Sequence, residues 1–282
     1  PEMAAAFITV AQCATTAPLN PAYRAEELDF YLGDLGAKAL IVAEDEAGPA
    51  VAAAQRHGAR VLQLAAPQDG PAGWFELRAE AGGEAGAPAQ GGWAEAEDVA
   101  LVLHTSGTTS RPKIVPLLQR NLVASARHIG TTLALGPTDR CLNIMPLFHI
   151  HGLIAAVLSS LAAGASVFCT PGFNALRFFA WTEEARPSWY TAVPTMHQAI
   201  LARAERNPDS VAAARLRLIR SSSASLPPQV MQALEATFEA PVIESYGMTE
   251  ATHQMASNPL PPAPRKPGSV GIAAGPLVQI GR

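Results

Sequence analysis

The chain has 282 residues, 49% hydrophobic and only 16% charged, enough apolar material for one large core or two adjoining ones. A formal net charge of −4 leaves no basic footprint for a nucleic-acid partner. Cys13, Cys141 and Cys169 are odd in number, far apart and set in apolar runs, a pattern that excludes a disulfide framework or a cysteine metal site and reads as reduced core thiols.

The apolar opening, residues 3–17, follows Glu2 and lacks a basic lead, so it predicts a helix rather than a secretion signal. A helix over 26–35, a strand over 39–43, a helix near 50–57 and a strand over 60–64 give a rhythm that implies parallel strands. Residues 65–97 break it with Ala, Gly, Pro and Gln and predict a surface loop. The run 99–103 predicts a buried strand, 113–117 another strand and 119–133 a helix. The second half repeats the alternation, with strands over 142–145, 165–169, 189–193, 216–220 and 241–244 and helices over 153–162, 175–185, 194–206 and 228–238. Gly164 divides the apolar stretch 153–169 into helix and strand, which argues against a membrane span.

Two clusters carry chemistry. Behind the strand 99–103 stands the turn His104-Thr105-Ser106-Gly107-Thr108-Thr109-Ser110-Arg111-Pro112-Lys113. Gly107 frees backbone N–H groups, the hydroxyls of Thr105, Ser106, Thr108 and Thr109 add donors, and Lys113 adds a mobile positive charge, which together suit phosphate oxygens. It is not a Walker A loop, because Pro112 precedes the lysine and the glycine spacing is absent. Downstream, the strand 241–244 runs into Ser245-Tyr246-Gly247-Met248-Thr249-Glu250. At a strand end of an open α/β sheet, Tyr246 offers a face to a planar base, Thr249 a donor to a phosphate or carboxylate, and Glu250 a hard oxygen ligand for magnesium.

The two clusters resemble the TSGTTGxPK and YGxTE signatures of the adenylate-forming superfamily, which comprises acyl-CoA synthetases, luciferases and peptide-synthetase adenylation domains. The likeness extends to Pro146-Leu147-Phe148-His149, to the run from Ser221 to Pro227 and to the run from Lys266 to Gly271. SGTTSRPK, PLFHIHG at 146–152, WYTAVPTMHQ at 189–198, RSSSASLPP at 220–228 and MTEATHQMASNPLPP at 248–262 are most similar to the oxalate–CoA ligase branch. Ser110 and Ile114 depart from the broad pattern, both standing where glycine is usual. The resemblance implies an α/β fold of two adjoining β-sheets flanked by helices. Residues 1–138 would hold the phosphate turn and 139–282 the acid and adenine site. Relatives continue into a ribose-binding aspartate, a hinge and a small C-terminal domain with a catalytic lysine. A sequence that starts on proline and stops past Gly271 is therefore expected to be a fragment of the large N-terminal domain, weakly active or inactive alone.

By the same resemblance, a carboxylate attacks the α-phosphorus of ATP, and the thiol of coenzyme A then displaces AMP. The implied cofactors are ATP, Mg2+ and coenzyme A, in a cytoplasmic enzyme, with a peroxisomal address left open. The implied nucleotide contacts are Thr105, Ser106, Gly107, Thr108, Thr109, Lys113, Ser223, Ala224, Glu244, Tyr246, Gly247 and Thr249. Lys113, Thr249, Glu250 and His149 carry catalysis, and Glu250 takes the metal. The acid falls to His149, Ser222, Ser223 and His253. For His149 two readings stand: a buried histidine satisfied by a backbone carbonyl, or, as the resemblance implies, a contact to the reacting carboxylate or a gate on the thiol's approach. His253 lies where relatives using hydrocarbon acids carry small or apolar residues, and a polar ring there can pair with a second carboxylate; the other reading leaves it facing solvent on a loop. His57, His104, His128, His151 and His197 carry no comparable signal. Oxalate is the favoured acid. The alternatives are a medium-chain or aryl acid–CoA ligase and a non-catalytic ATP-binding fragment.

Overall fold

The computed structural model describes residues 1–79, 91–105 and 112–279. The chain divides into two compact units, Pro1–Ala94 and Glu95–Arg282. The first holds helices α1 (Glu2–Ala11), α2 (Ala25–Leu35) and α3 (Pro49–Arg56) and strands β1 (Ala39–Ala43), β2 (Arg60–Ala65) and β3 (Glu76–Ala79). Pro49 opens α3 at a position where the missing N–H costs nothing. β1 and β2 pair in parallel across that helix, as the rhythm implies. Leu28 and Leu32 of α2 pack with Val51, Ala53 and Ala54 of α3 and Val61 of β2 to form the core of this unit. β3 lies inside the stretch expected to be a loop, and pairs antiparallel to β2. All four of its residues are exposed, so it leaves no alternating pattern to read. Cys13 is exposed just beyond α1, which corrects its reading as a core thiol; only Cys141 is buried, and Cys169 is intermediate.

The second unit opens with an antiparallel hairpin, β4 (Val99–Thr105) and β5 (Lys113–Leu118), followed by α4 (Gln119–Thr132). A seven-stranded sheet then builds from β6 (Arg140–Asn143), β7 (Ser166–Cys169), β8 (Trp189–Ala192), β9 (Leu218–Ser221), β10 (Val242–Met248), β11 (His253–Ser257) and β12 (Ile272–Ala273). Their spatial order is β12-β11-β10-β9-β8-β6-β7, parallel from β7 to β10 and antiparallel at the β11 and β12 edge. β6 ends two residues before the predicted strand does, because Asn143 folds back: its amide oxygen accepts the Met145 N–H and its NH2 donates to the Met145 carbonyl.

Helices α5 (Ser159–Ala162), α6 (Phe178–Ala185), α7 (Pro194–Ala204), α8 (Pro208–Ala213) and α9 (Pro228–Phe238) complete the unit. A π-helix, His151–Leu158, precedes α5. One face of the sheet buries Leu142, Tyr190, Ile219 and Val242 with Phe178, Ile200, Leu234 and Phe238 in a single core. The π-helix packs with β6, β8 and β11. Gly152 lets it start close to the Pro146 carbonyl, where a Cβ would collide with the backbone. α4 packs on the π-helix, α5 and β11, which groups residues 95–138 with the second half of the chain, whereas the sequence reading divides the chain at 138. Among the described residues no helix is long and apolar enough to cross a membrane.

Candidate active site

The carboxyl ends of parallel strands are where ligands bind in open α/β sheets. The side chains of interest follow four of them: His149 and His151 after β6, Thr191 on β8, Arg220 to Ala224 from β9, and Tyr246 to Glu250 from β10. Thr191 and Arg220 are register partners on β8 and β9, so their side chains share a face of the sheet.

The nucleotide-facing candidates occupy the open end. Tyr246 is 47% exposed, leaving a ring available for stacking. Beside it the β10–β11 pairing shifts register, and a side chain on Gly247 would overlap the His253 carbonyl. Thr249 and Glu250 form a one-turn 3₁₀ helix, Thr249–Ala251, with the Glu250 carboxylate exposed. β5 lies against this turn, and Lys113, at its first position, is paired with Thr105 of β4. Ser106, Gly107, Thr108 and Thr109 lie outside the described residues. No three His, Cys, Asp or Glu side chains gather among the described residues to hold a metal. A lone exposed carboxylate suits magnesium that takes its remaining ligands from water and phosphate.

The segment after β9 separates its candidates. Ser222 is buried and donates to the Ser245 carbonyl, tying β9 to β10. Ser223 and Ala224 are exposed, and Ser223 adopts a left-handed backbone with φ 72°. Glu244 is buried beneath this loop; one carboxylate oxygen accepts the Leu226 N–H, and burial raises its carboxyl above the ordinary range.

The acid-facing candidates form a polar knot under the π-helix. His253 does not lie on a solvent loop: it opens β11 and is 2% exposed. It follows Thr252, and both are left-handed, with φ 93° and 54°. Non-glycine residues pay for that conformation, and such strain concentrates at functional sites. The Ser125 hydroxyl of α4 holds the kink by donating to the Thr252 carbonyl at 2.5 Å. The rings of His253 and His151 meet edge to face, 5.0 Å apart. His151, passed over in the sequence, is fully buried, with Nε2 2.6 Å from the Thr191 hydroxyl and Nδ1 3.0 Å from the Ser223 hydroxyl. His149 is exposed, not a buried histidine satisfied by a carbonyl; its Nδ1 accepts the backbone N–H of His151 at 3.1 Å, which puts the proton of the neutral ring on Nε2.

At the centre lies Arg220, fully buried and also passed over in the sequence. Its Nη2 is 3.3 Å from the Gln254 amide oxygen and 3.5 Å from His253 Nδ1, and its Nη1 is 3.4 Å from Thr191 Oγ1 and from His151 Nε2. Burial lowers it to about 9, which leaves it charged at neutral pH. No carboxylate among the described residues pairs with it. Burial first, and then neighbouring positive charge, holds His151 and His253 well below the ordinary imidazole range, so both rings are neutral at pH 7. The one sign in the sequence was a charged residue closing an apolar strand, Leu218-Ile219-Arg220.

Comparison with known proteins places the chain among similar sequences and folds. The chain is 44% identical over 270 residues to the oxalate–CoA ligase of Arabidopsis thaliana, covering 95% of this chain and 52% of that protein. It is 39% identical over 283 residues to the oxalate–CoA ligase of Saccharomyces cerevisiae, covering 94% and 51%. Among solved structures it is similar to ATP-bound MatB from Rhodopseudomonas palustris, with TM-score 0.75, 29% identity, and coverage of 92% of this chain and 49% of that one. The chain spans about half the length of the curated relatives it matches. Residues 1–280 match a single family, and the chain belongs to it: the AMP-binding enzymes.

Proposed function

We propose that this chain is the nucleotide- and acid-binding core of an ATP-dependent acid–CoA ligase whose favoured acid is oxalate. The carrying observation is the polar knot of His151, His253 and Arg220, which suits a short, doubly charged acid and wastes binding energy on a hydrocarbon. The names of the Arabidopsis and yeast relatives support the same choice.

In this reading the hydroxyl-rich segment from Thr105 to Lys113 receives the β- and γ-phosphates, including the donors Ser106, Gly107, Thr108 and Thr109. Tyr246 stacks on adenine, with Gly247, Ser223, Ala224 and the backbone near Glu244 along its edge. Thr249 donates to the α-phosphate or the reacting carboxylate. Glu250 would hold magnesium, which supplies charge neutralisation between the acid and the triphosphate. His149 faces the reacting carboxylate, and Ser223 and His253 the second one; Ser222 supports them from beneath. The acid oxygen attacks the α-phosphorus, pyrophosphate leaves, and the thiol of coenzyme A then displaces AMP. Fixed donors aimed at the developing charge are the largest catalytic contribution expected of such a site. We place the enzyme in the cytoplasm, with a peroxisomal address as the alternative, and place the phosphate site within 1–138 and the acid and adenine sites within 139–282.

The test is calorimetric. The chain is saturated with magnesium and a non-hydrolysable ATP analogue, then titrated with oxalate and with octanoate. Binding of oxalate alone is expected. Binding of octanoate alone would favour the medium-chain or aryl alternative, and binding of the nucleotide with neither acid would leave an ATP-binding module.

A further inference from the structure

A guanidinium has N–H donors and no acceptor, so every atom it bonds must accept. Arg220 therefore imposes a direction on its surroundings. His253 Nδ1, accepting from Nη2 at 3.5 Å, carries no proton, and the neutral ring must carry it on Nε2. Thr191 Oγ1 accepts from Nη1 at 3.4 Å, so its hydroxyl hydrogen is free to donate to His151 Nε2 at 2.6 Å. His151 then holds its proton on Nδ1 and donates it to Ser223 Oγ at 3.0 Å. The Ser223 hydroxyl, on an exposed residue, has its own hydrogen left to donate outward. Gln254 agrees with this polarity: its oxygen accepts from Arg220, while its NH2 donates to Thr132 Oγ1 at 3.0 Å and to the Ala274 carbonyl at 3.1 Å. The Arg220 Nε is buried without a partner among the described residues, so the side chain is not held for a saturated structural network of its own.

We propose that Arg220 is a positioning residue: by fixing the tautomers of His151 and His253 it turns the Ser223 hydroxyl and His253 Nε2 into preset donors for the second carboxylate of a dicarboxylic acid. The claim rests on the acid-site reading above. It assigns Arg220 no contact with the substrate, and it makes a neutral relay with one buried cation behind it the source of acid selectivity. A cation acting through charge alone would be replaceable by lysine. A cation acting through directed donors is not, because one ammonium cannot reach four acceptors held by a planar fork.

Arg220→Lys and Arg220→Met test this, with the 282-residue chain bound to magnesium and the non-hydrolysable ATP analogue. Nitrogen-15 spectra of the histidines read the tautomers, and calorimetry reads affinity for oxalate and acetate. Unsubstituted chain is expected to show the proton on Nε2 of His253 and on Nδ1 of His151. Both variants should lose that pattern and weaken oxalate by about tenfold or more, while acetate changes by less than about twofold. Unchanged tautomers, equal losses for both acids, or full oxalate affinity in Arg220→Lys would each overturn the proposal. Unchanged analogue affinity certifies that a variant is folded; if Arg220→Met is not, Arg220→Lys decides alone. If the unsubstituted chain binds neither acid, the oxalate reading fails by itself, and the tautomers still decide what Arg220 does.

Discussion

Lowering the pH should destabilise this protein well before its carboxylates protonate. His197 of α7 is fully buried with its Nδ1 3.2 Å from the Tyr190 hydroxyl, and burial pushes it to about 4, only partly offset by backbone groups of Arg220 and Ala192. Its folded value lies below the ordinary 6.5, so the unfolded chain binds the proton first. Stability from this group is complete above pH 6.5 and drains as pH falls toward 4, by about 3 kcal/mol in total and about 2 kcal/mol by pH 5. His151 and His253 act with the same sign, since burial holds both well below their ordinary value. Glu244 acts oppositely: its raised carboxyl contributes below the ordinary carboxylate range and loses that contribution as pH rises through its folded value. Urea unfolding at pH 7.5, 6.5, 5.8 and 5.0, followed through the buried Trp181 and Trp189, measures the slope. His197→Gln should flatten it by about 2 kcal/mol between pH 6.5 and 5, whatever it does to the baseline. A stability that is level from pH 7.5 to 5 would refute the reasoning, because it would mean that these rings are hydrated or protonated in the fold.

Three further outcomes are expected. Tyr246→Ala should weaken binding of the ATP analogue by about 1–3 kcal/mol in a calorimetric titration, the scale of losing one aromatic stacking platform. Glu250→Ala should raise the magnesium concentration needed to bind that analogue while leaving binding without magnesium unchanged, which a magnesium titration at fixed nucleotide reads directly. Asp139→Ala should cost about 1–3 kcal/mol in urea unfolding, because Arg217, Ser188 and the Gly136 N–H lose their shared acceptor. Burial of Asp139 raises its carboxyl, but those three partners outweigh that and leave it lowered. Its contribution is therefore present above the ordinary 3.8 and is lost as pH falls below it.

Elements with strong local grammar were legible in the sequence. The strand 39–43 and the helix 228–238 fall where Ala39–Ala43 and Pro228–Phe238 form, the first a short apolar run and the second opened by proline and patterned for one buried face. β11 and β12 were not, because pairing supplies what their sequences lack: β11 carries His253 and Gln254 on a buried strand, and β12 has two exposed residues. α8 was hidden by its length, six residues after Asn207. The candidate site divided along similar lines. Tyr246, Thr249 and Glu250 are contiguous and announce themselves, as does the hydroxyl turn before Lys113. Arg220 and Thr191 meet only because β8 and β9 align them in register, and no spacing along the chain encodes that. His151, just ahead of the predicted helix 153–162, carried no signal of its own in the sequence; its role shows only where its two ring nitrogens meet hydroxyls from β8 and the loop after β9.

The order of strands in the large sheet has a thermodynamic corollary. Residues 149, 191, 220 and 253 reach one place only when β6, β8, β9 and β11 are all docked, so no smaller piece of the sheet contains the knot. A ligand held there binds the assembled sheet and nothing less, and at a concentration about 100 times its Kd it raises global stability by about 2.7 kcal/mol. Hydrogen exchange of amides in the interior strands, far from any contact with the acid, should then slow in step with site occupancy. The sheet is in this sense a reporter of its own ligand.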